Sequence, residues 1–300
     1  AAGCFYDWGL DQLPMGDRDD GGTDPGRPDD AGDARDDADD PEDGPDLDTP
    51  DEGGPAPAVL CSASDAPGCV VSVPGGRFAM GATGVAEPVH PVAVSSFYLQ
   101  RYEVTVDEYR VCVMSGRCSA PASGGACNWT PDPGARELHP VNCVTWPQAD
   151  DYCAWWGGSL PTEARWVFAA RGTSNRTYPW GEATPTCSHA NHAPGGTPCV
   201  GGTATVDDVA YRSGATPGTG IRKMAGNVWE WVADWHDLDY YETCAAGCED
   251  PFGPPSGTER VIRGGAWDVD APFVRAAVRS RALPGTTDDD TGFRCARNAL

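Results

Sequence analysis

Thirteen cysteines in a 300-residue chain, no two of them spaced Cys-x-x-Cys, restrict the fold more than any other feature. A reducing compartment does not support so many thiols without metal-ligand spacing, so the pattern points to a disulfide-bearing protein in an oxidising compartment. The count is odd, so at least one thiol has no intramolecular partner. Glycine (38) and proline (28) add to the constraint. Irregular backbone, punctuated by turns and held by cross-links, should dominate over long regular elements. Cys61 and Cys69, with Pro67-Gly68 between them, are expected to close a small loop. Cys187 with Cys199, and Cys244 with Cys248, read as local staples, and Cys112, Cys118, Cys127 and Cys143 as two further bridges of open pairing.

The net charge of −24 is unevenly spread. Residues 16–54 hold fifteen Asp and two Glu against three Arg, a net of −14. With almost nothing apolar between Met15 and Ala56, residues 16–58 cannot offset the entropy of ordering, and an extended acidic linker is expected there. The run Asp36-Asp37-Ala38-Asp39-Asp40 lacks the glycine turn and distal glutamate of a calcium loop. So acidic a chain is a poor match for nucleic acid. It also lacks an apolar run of about 18 residues that would cross a membrane as a helix. Ala1-Ala2-Gly3-Cys4 resembles the end of a bacterial lipoprotein signal, which makes residues 1–15 an expected anchor region lipidated at Cys4. The membrane would then be met through the lipid alone, in the bacterial cell envelope: an outer-membrane lipoprotein, or a periplasmic or extracellular form. Lys223 stands alone against twenty arginines, which reads as codon bias.

The globular part is expected over residues 59–300. Thr105 and Glu108 form a capping-box pattern for a helix reaching Met114, with Val106, Tyr109 and Val113 as its apolar stripe and Gly116 as its stop. A second helix is expected from Trp146 to about Trp156, before Gly157-Gly158. A third, over Glu163 to Ala170, starts at Thr162. Short β-prone pieces are Val70–Val73, Val92–Tyr98, Asn227–Asp234, Val261–Arg263 and Phe293–Ala296.

Motifs in a fixed order link these pieces. Val73-Pro74-Gly75-Gly76-Arg77-Phe78-Ala79-Met80-Gly81 is followed by Ser96-Phe97-Tyr98-Leu99 and Arg101-Tyr102-Glu103-Val104-Thr105. Then come His139-Pro140-Val141, Val144-Thr145-Trp146, Leu160-Pro161-Thr162-Glu163-Ala164-Arg165-Trp166 and Tyr178-Pro179-Trp180-Gly181. The series closes with Gly226-Asn227-Val228-Trp229-Glu230-Trp231, Arg263-Gly264-Gly265-Ala266-Trp267 and Gly292-Phe293-Arg294-Cys295-Ala296. Over residues 71–297 this series resembles the formylglycine-generating enzyme (sulfatase-modifying factor) family. The resemblance implies an α+β, C-type-lectin-like fold with little regular secondary structure, stapled by disulfides.

The same resemblance implies a copper site built from two cysteines between the Gly-Gly-Ser/Ala-Trp turn and the Gly-Phe-Arg segment. From Gly264 to Arg294 this chain has no cysteine. Val269, Val274, Asp268 and Asp270 offer no soft ligand for Cu(I), so copper is not expected. It further implies a Cys153–Cys295 bridge, and the loss of a second bridge at Ala170 and Ala276. A calcium ion would be held by the Glu230 side chain and the Gly226 and Val228 carbonyls. The position of its asparagine ligand falls at Lys223, which would pair with Glu230 if the ion is absent. A second calcium site, near Asn191 and His192, lacks its aspartate at about Pro198. His189 and His192 with Asp268 and Asp270 are the other metal-ligating types, and no histidine-based catalytic centre is expected; His139 is read as packing. Trp146, Trp166, Trp180, Trp229, Trp231 and Trp267 lie in motifs and read as core, whereas Trp129 is less constrained and is a further candidate for lining a ligand groove. A ligand groove is placed at Trp156, Trp235, Trp267, Asp268, Asp270 and Arg279, with Tyr240 and Tyr241 on its rim. The leading expectation is a non-catalytic binding or structural module for a protein, peptide or carbohydrate. The alternative is a sulfatase-modifying-factor-type enzyme acting on a protein substrate.

Overall fold

The computed structural model describes residues 59–61, 67–206 and 214–299. The expected anchor at Cys4 and the linker up to residue 58 lie outside the described residues. Ten short strands and four helices are joined by long irregular stretches among the described residues, as the glycine and proline content requires.

Three small sheets carry the architecture. The first has the order β1 (Val70–Val73), β4 (Phe97–Gln100), β10 (Ala296–Asn298), all antiparallel. In the second, β2 (Gly76–Ala82) and β3 (Ala86–Val94) form an antiparallel pair, and β6 (Cys248–Glu249) joins β3 in parallel. The third runs β8 (Arg279–Ala282), β7 (Arg260–Arg263), β5 (Trp229–Trp235), β9 (Thr291–Phe293), with β5 and β9 parallel. The expected single strand over Val92–Tyr98 is two strands, because the chain leaves one sheet at Ser95-Ser96 and enters another. The piece Phe293–Ala296 likewise divides between two sheets at Arg294-Cys295.

Helix α1 (Val106–Met114) carries the anticipated capping box: the Thr105 hydroxyl accepts from the Glu108 N–H, and Glu108 accepts from the Thr105 N–H. Thr145 and Gln148 do the same for α2 (Trp146–Trp155). Thr162 caps α3 (Glu163–Arg171), whose nine residues are almost all buried beside β2, β3 and β5. A one-turn helix α4 (Tyr240–Thr243) follows β5.

Two large apolar clusters hold these elements together. One gathers Tyr109, Tyr152, Leu160, Trp229, Trp231 and Phe293; the other gathers Phe78, Phe97, Leu99, Trp166, Ile221 and Met224. Ala170 and Ala276 share the second cluster, where their methyl groups fill space without a cross-link. Twelve cysteines form six disulfides: Cys61–Cys69, Cys112–Cys118, Cys127–Cys143, Cys153–Cys295, Cys187–Cys199 and Cys244–Cys248. The Cys153–Cys295 bridge spans 142 residues and ties α2 to the segment between β9 and β10.

Candidate functional site

Three motifs distant in sequence meet at one buried carboxylate. Arg294 grips Glu230 with two hydrogen bonds, Nε to Oε2 and Nη2 to Oε1, both 2.7 Å. Trp166 Nε1 donates to the same Oε2 at 2.8 Å. Such paired, charge-assisted bonds are the strong kind in a water-free interior. Beside them, the two Glu103 oxygens accept from Asn227 Nδ2 at 3.0 and 3.1 Å. Burial pushes the Glu103 carboxyl up to about 7, against the pull of the neighbouring Lys223 and Arg294 charges. Lys223 is itself buried and has left-handed backbone (φ 60°). Gly226 must be glycine: at φ 72°, an added Cβ would stand 2.2 Å from the Asn191 carbonyl oxygen.

This cluster does not suit the calcium ion that the resemblance implies. Glu230 is bonded to Arg294, and two carboxylates already face two cations in a buried site. A dication added there would leave two positive charges uncompensated, and burying unbalanced charge is strongly unfavourable. The neighbouring Asn191 does leave its Oδ1 without a hydrogen-bond partner, as does His192 at Nε2. No group of three or more His, Cys, Asp or Glu side chains converges as a metal site among the described residues.

Above the cluster lies a polar pocket of about 220 Å³, bordered by Asn128, Arg136, His139, Thr203, Trp267 and Asp289. The Cys127–Cys143 bridge closes the loop that supplies one wall. Asn128 sets the floor: its Nδ2 donates to the Pro140 carbonyl (2.8 Å) and to Thr203 Oγ1 (2.9 Å), and its Oδ1 accepts from Arg136 (3.1 Å). His139 Nδ1 lies 2.8 Å from Thr203 Oγ1. Because Asn128 already donates to that oxygen, the threonine proton is free to point at the ring. Burial, followed by the Arg136 and Lys223 charges, depresses the His139 pKa, so the ring is neutral at pH 7. The walls thus offer a guanidinium, a carboxylate, an indole and neutral donors and acceptors. On the acidic side, burial and then Asp268 push the Asp290 carboxyl up to about 7.

Of the residues expected in a groove, Trp267 lines this pocket. Trp156 does not: it is buried in the core with the Arg297 guanidinium over its ring. Trp235 is half-buried beneath Arg260, which is sandwiched between it and Trp146 at 3.5 and 3.6 Å. Arg279 is buried against Glu163 (Nε to Oε1, 2.8 Å), and Tyr241 is buried with its hydroxyl on the same carboxylate. Asp270 caps a turn, its Oδ1 accepting from the Ala271 and Gly195 N–H groups. Asp268 is exposed. Trp129 is core, stacked under Arg110 at 4.5 Å. His139, read as packing, borders the pocket instead, because Thr203 is brought to it from 64 residues away. The motif gave no signal for that contact. His189 stacks on Trp180, which stacks on Tyr178, and Val269 and Val274 pack in the apolar cluster beside that ladder. Where the resemblance would put a copper-binding pair, the chain therefore has branched aliphatic side chains in apolar contact. These residues do not suit copper.

Comparison with known proteins identifies the family of the fold. Residues 60–299 match the model of the sulfatase-modifying factor enzyme 1-like domain. The chain belongs to that family. It is 32% identical over 287 residues to the formylglycine-generating enzyme of Thermomonospora curvata, covering 77% of this chain and 94% of that protein. It is 35% identical over 246 residues to the serine/threonine-protein kinase pkn1 of Chlamydia pneumoniae, but spans only 38% of that protein's length. Among solved structures, PvdO from Pseudomonas aeruginosa superposes with a TM-score of 0.64 at 26% identity, covering 81% of this chain and 98% of that one. The Treponema denticola variable protein 1, at 22% identity and a TM-score of 0.58, shows the same fold. The sulfatase-modifying factor family holds formylglycine-generating enzymes and related proteins such as hercynine oxygenase, so membership alone does not assign an activity.

Proposed function

We propose that this sulfatase-modifying factor domain is a non-catalytic binding module, displayed in the bacterial cell envelope, that takes a short polar peptide segment into the pocket walled by Trp267, Arg136 and Asp289. One observation carries the reading: all twelve cysteines of the described residues are oxidised into disulfides, so none offers a thiolate to a metal or a substrate. The pocket supports the ligand class. A guanidinium and a carboxylate among the lining residues match the mixed charge and amide groups of a peptide, and the Trp267 indole supplies apolar contact area.

The test is a peptide array probed with the full chain, followed by titration of the best binder. Binding should be lost in Trp267→Ala and in Arg136→Ala, and retained in Trp235→Ala, whose ring lies beneath Arg260. A peptide carrying Cys-x-Pro-x-Arg, offered with Cu(I) and oxygen, should come back with its cysteine unchanged. Copper-dependent conversion of that cysteine to formylglycine would overturn the reading in favour of the enzyme.

A further inference from the structure

The six disulfides are not equally open to solution. Five of them contain at least one buried cysteine: Cys69, Cys112 with Cys118, Cys143, Cys153 with Cys295, and Cys244. The sixth, Cys187–Cys199, contains none. Cys187 is exposed and Cys199 is half-buried. A disulfide is cleaved when a thiolate attacks one of its sulfurs, so access selects which bridge reacts and which sulfur is attacked. The other sulfur leaves as a thiolate, and its neighbours set how readily it leaves. Cys199 Sγ lies 3.7 Å from His192 Nδ1. That nitrogen is also 3.1 Å from the Ala190 carbonyl oxygen. A carbonyl only accepts, so Nδ1 must carry the proton for that contact to be a hydrogen bond. The same carbonyl oxygen is 3.8 Å from Cys199 Sγ, within reach of an S–H. A donor for a thiolate and an acceptor for a thiol therefore both stand beside the half-buried sulfur.

We propose that the Cys187–Cys199 disulfide is a modification site for a small free thiol, which attacks Cys187 and expels Cys199 towards His192 as a thiolate. The attacking sulfur bonds to Cys187 Sγ, the bond between the two protein sulfurs breaks, and its electron pair leaves on Cys199 Sγ. The small thiol is oxidised into a mixed disulfide, Cys199 is reduced, and the proton shed by the attacking thiol is returned through solvent to Cys199. The loop keeps its shape after cleavage, because the Cys199 N–H donates to the His192 carbonyl and the Ala193 N–H to the Val269 carbonyl, both at 2.8 Å. The freed thiol thus stays near Cys187, and attack on the mixed disulfide restores the bridge and releases the small thiol. The inference does not rest on the peptide reading of the pocket, and its test involves no peptide.

Free thiols of the oxidised full chain are first blocked with iodoacetamide. The protein is then exposed to excess free cysteine, quenched at intervals with N-ethylmaleimide and mapped by mass spectrometry. The first product should carry one cysteine adduct on Cys187 and a maleimide on Cys199, with the other five bridges intact. His192→Leu should form it roughly tenfold more slowly, through loss of a charge-assisted hydrogen bond to the leaving sulfur. A histidine that merely holds the loop would act the other way, since its removal would loosen the loop and speed cleavage. His192→Asn, whose amide N–H can replace the Nδ1 donor, should recover most of the rate. A first adduct on Cys199, or earlier opening of any of the other five bridges, would overturn the proposal. Equal rates in the parent and His192→Leu, or no recovery in His192→Asn, would overturn it as well. If His192→Leu does not fold, the position of the first adduct in the parent decides alone.

Discussion

Asp290, buried next to the pocket-lining Asp289, tests how a protonated carboxyl is balanced against stability. Its side chain is buried, with Thr291 Oγ1 donating to Oδ1 at 3.0 Å. Burial first, then the charge of Asp268, pushes its carboxyl from 3.8 up to about 7. The fold therefore holds this proton more tightly than the unfolded chain does. The stability contributed by the protonated form is complete below about pH 4 and is lost as pH rises towards 7. Asp290→Asn cannot titrate, so the variant escapes that loss. Each pH unit across the interval is worth about 1.4 kcal/mol, so from pH 5 to 7 the variant should gain roughly 2–3 kcal/mol on the parent. At about 2–4 °C per kcal/mol for a domain of this size, the relative midpoint should move by roughly 5–10 °C. Urea unfolding of the oxidised protein at pH 5 and at pH 8, with the parent and Asp290→Asn at each pH, reads the free-energy difference directly. A pH-independent gap between Asp290→Asn and the parent would refute the reasoning, since it would mean that Asp290 titrates as it does in the unfolded chain. If the variant is more stable at pH 8 yet fails to bind peptide, the acid is a group retained for the pocket at a cost to the fold.

Other perturbations separate the scaffold from the site. Replacing Cys153 and Cys295 by serine opens a loop of 142 residues and should cost about 4–5 kcal/mol in the entropic treatment, read as a fall in the urea midpoint. Arg110→Ala should cost roughly 3–5 kcal/mol, because Arg110 makes paired bonds to Glu137 and also donates to the Thr130 and Pro131 carbonyls. That loop carries a wall of the pocket, so peptide affinity should fall with it, and Arg110→Lys should not rescue either. Gly226→Ala, whose Cβ would meet the Asn191 oxygen, should give insoluble protein, whereas Gly157→Ala, with open space around it, should fold with only a modest penalty for its positive φ.

What the sequence disclosed and what it hid divide along the range of the interactions involved. The helix starts at Thr105, Thr145 and Thr162 depend on residues within one turn, so local pattern was enough to place Thr105 and Thr162 as helix starts. The short disulfide loops follow the same rule. Strand β8 was not visible, because Arg279-Ser-Arg-Ala has no apolar alternation and pairs only because β7 lies alongside. The groove was the least legible. Trp156, Trp235 and Arg279 are large side chains of the type that binds ligands, yet Arg297, Arg260 and Glu163 cover or pair them from elsewhere in the chain. His139, Asn128 and Thr203 carry no motif as a group, and only the folded chain brings them within hydrogen-bond distance.

The buried contacts also explain why motif similarity is a poor guide to activity here. Trp166, from the Leu-Pro-Thr-Glu-Ala-Arg-Trp motif, bonds Glu230 of the Gly-Asn-Val-Trp-Glu-Trp motif, which is gripped by Arg294 of the Gly-Phe-Arg-Cys motif. Arg294 also donates to the carbonyls of Gln100, Arg101 and Arg222, drawing in two further segments. The residues that make the chain recognisable are thus, in large part, residues that bind one another. A substitution at any of them leaves a buried charge or donor unmatched, so they persist whether or not the domain performs chemistry. The stretch from Trp267 to Asp289 and the loop closed by Cys127–Cys143 sit outside that network and meet at the pocket. Both segments also contribute buried residues of their own, Val141, Val274 and Ala276 among them, so it is their pocket-facing side chains that stand apart from that network. On this argument the shared motifs report the fold, and membership of the family does not by itself assign the chain an activity.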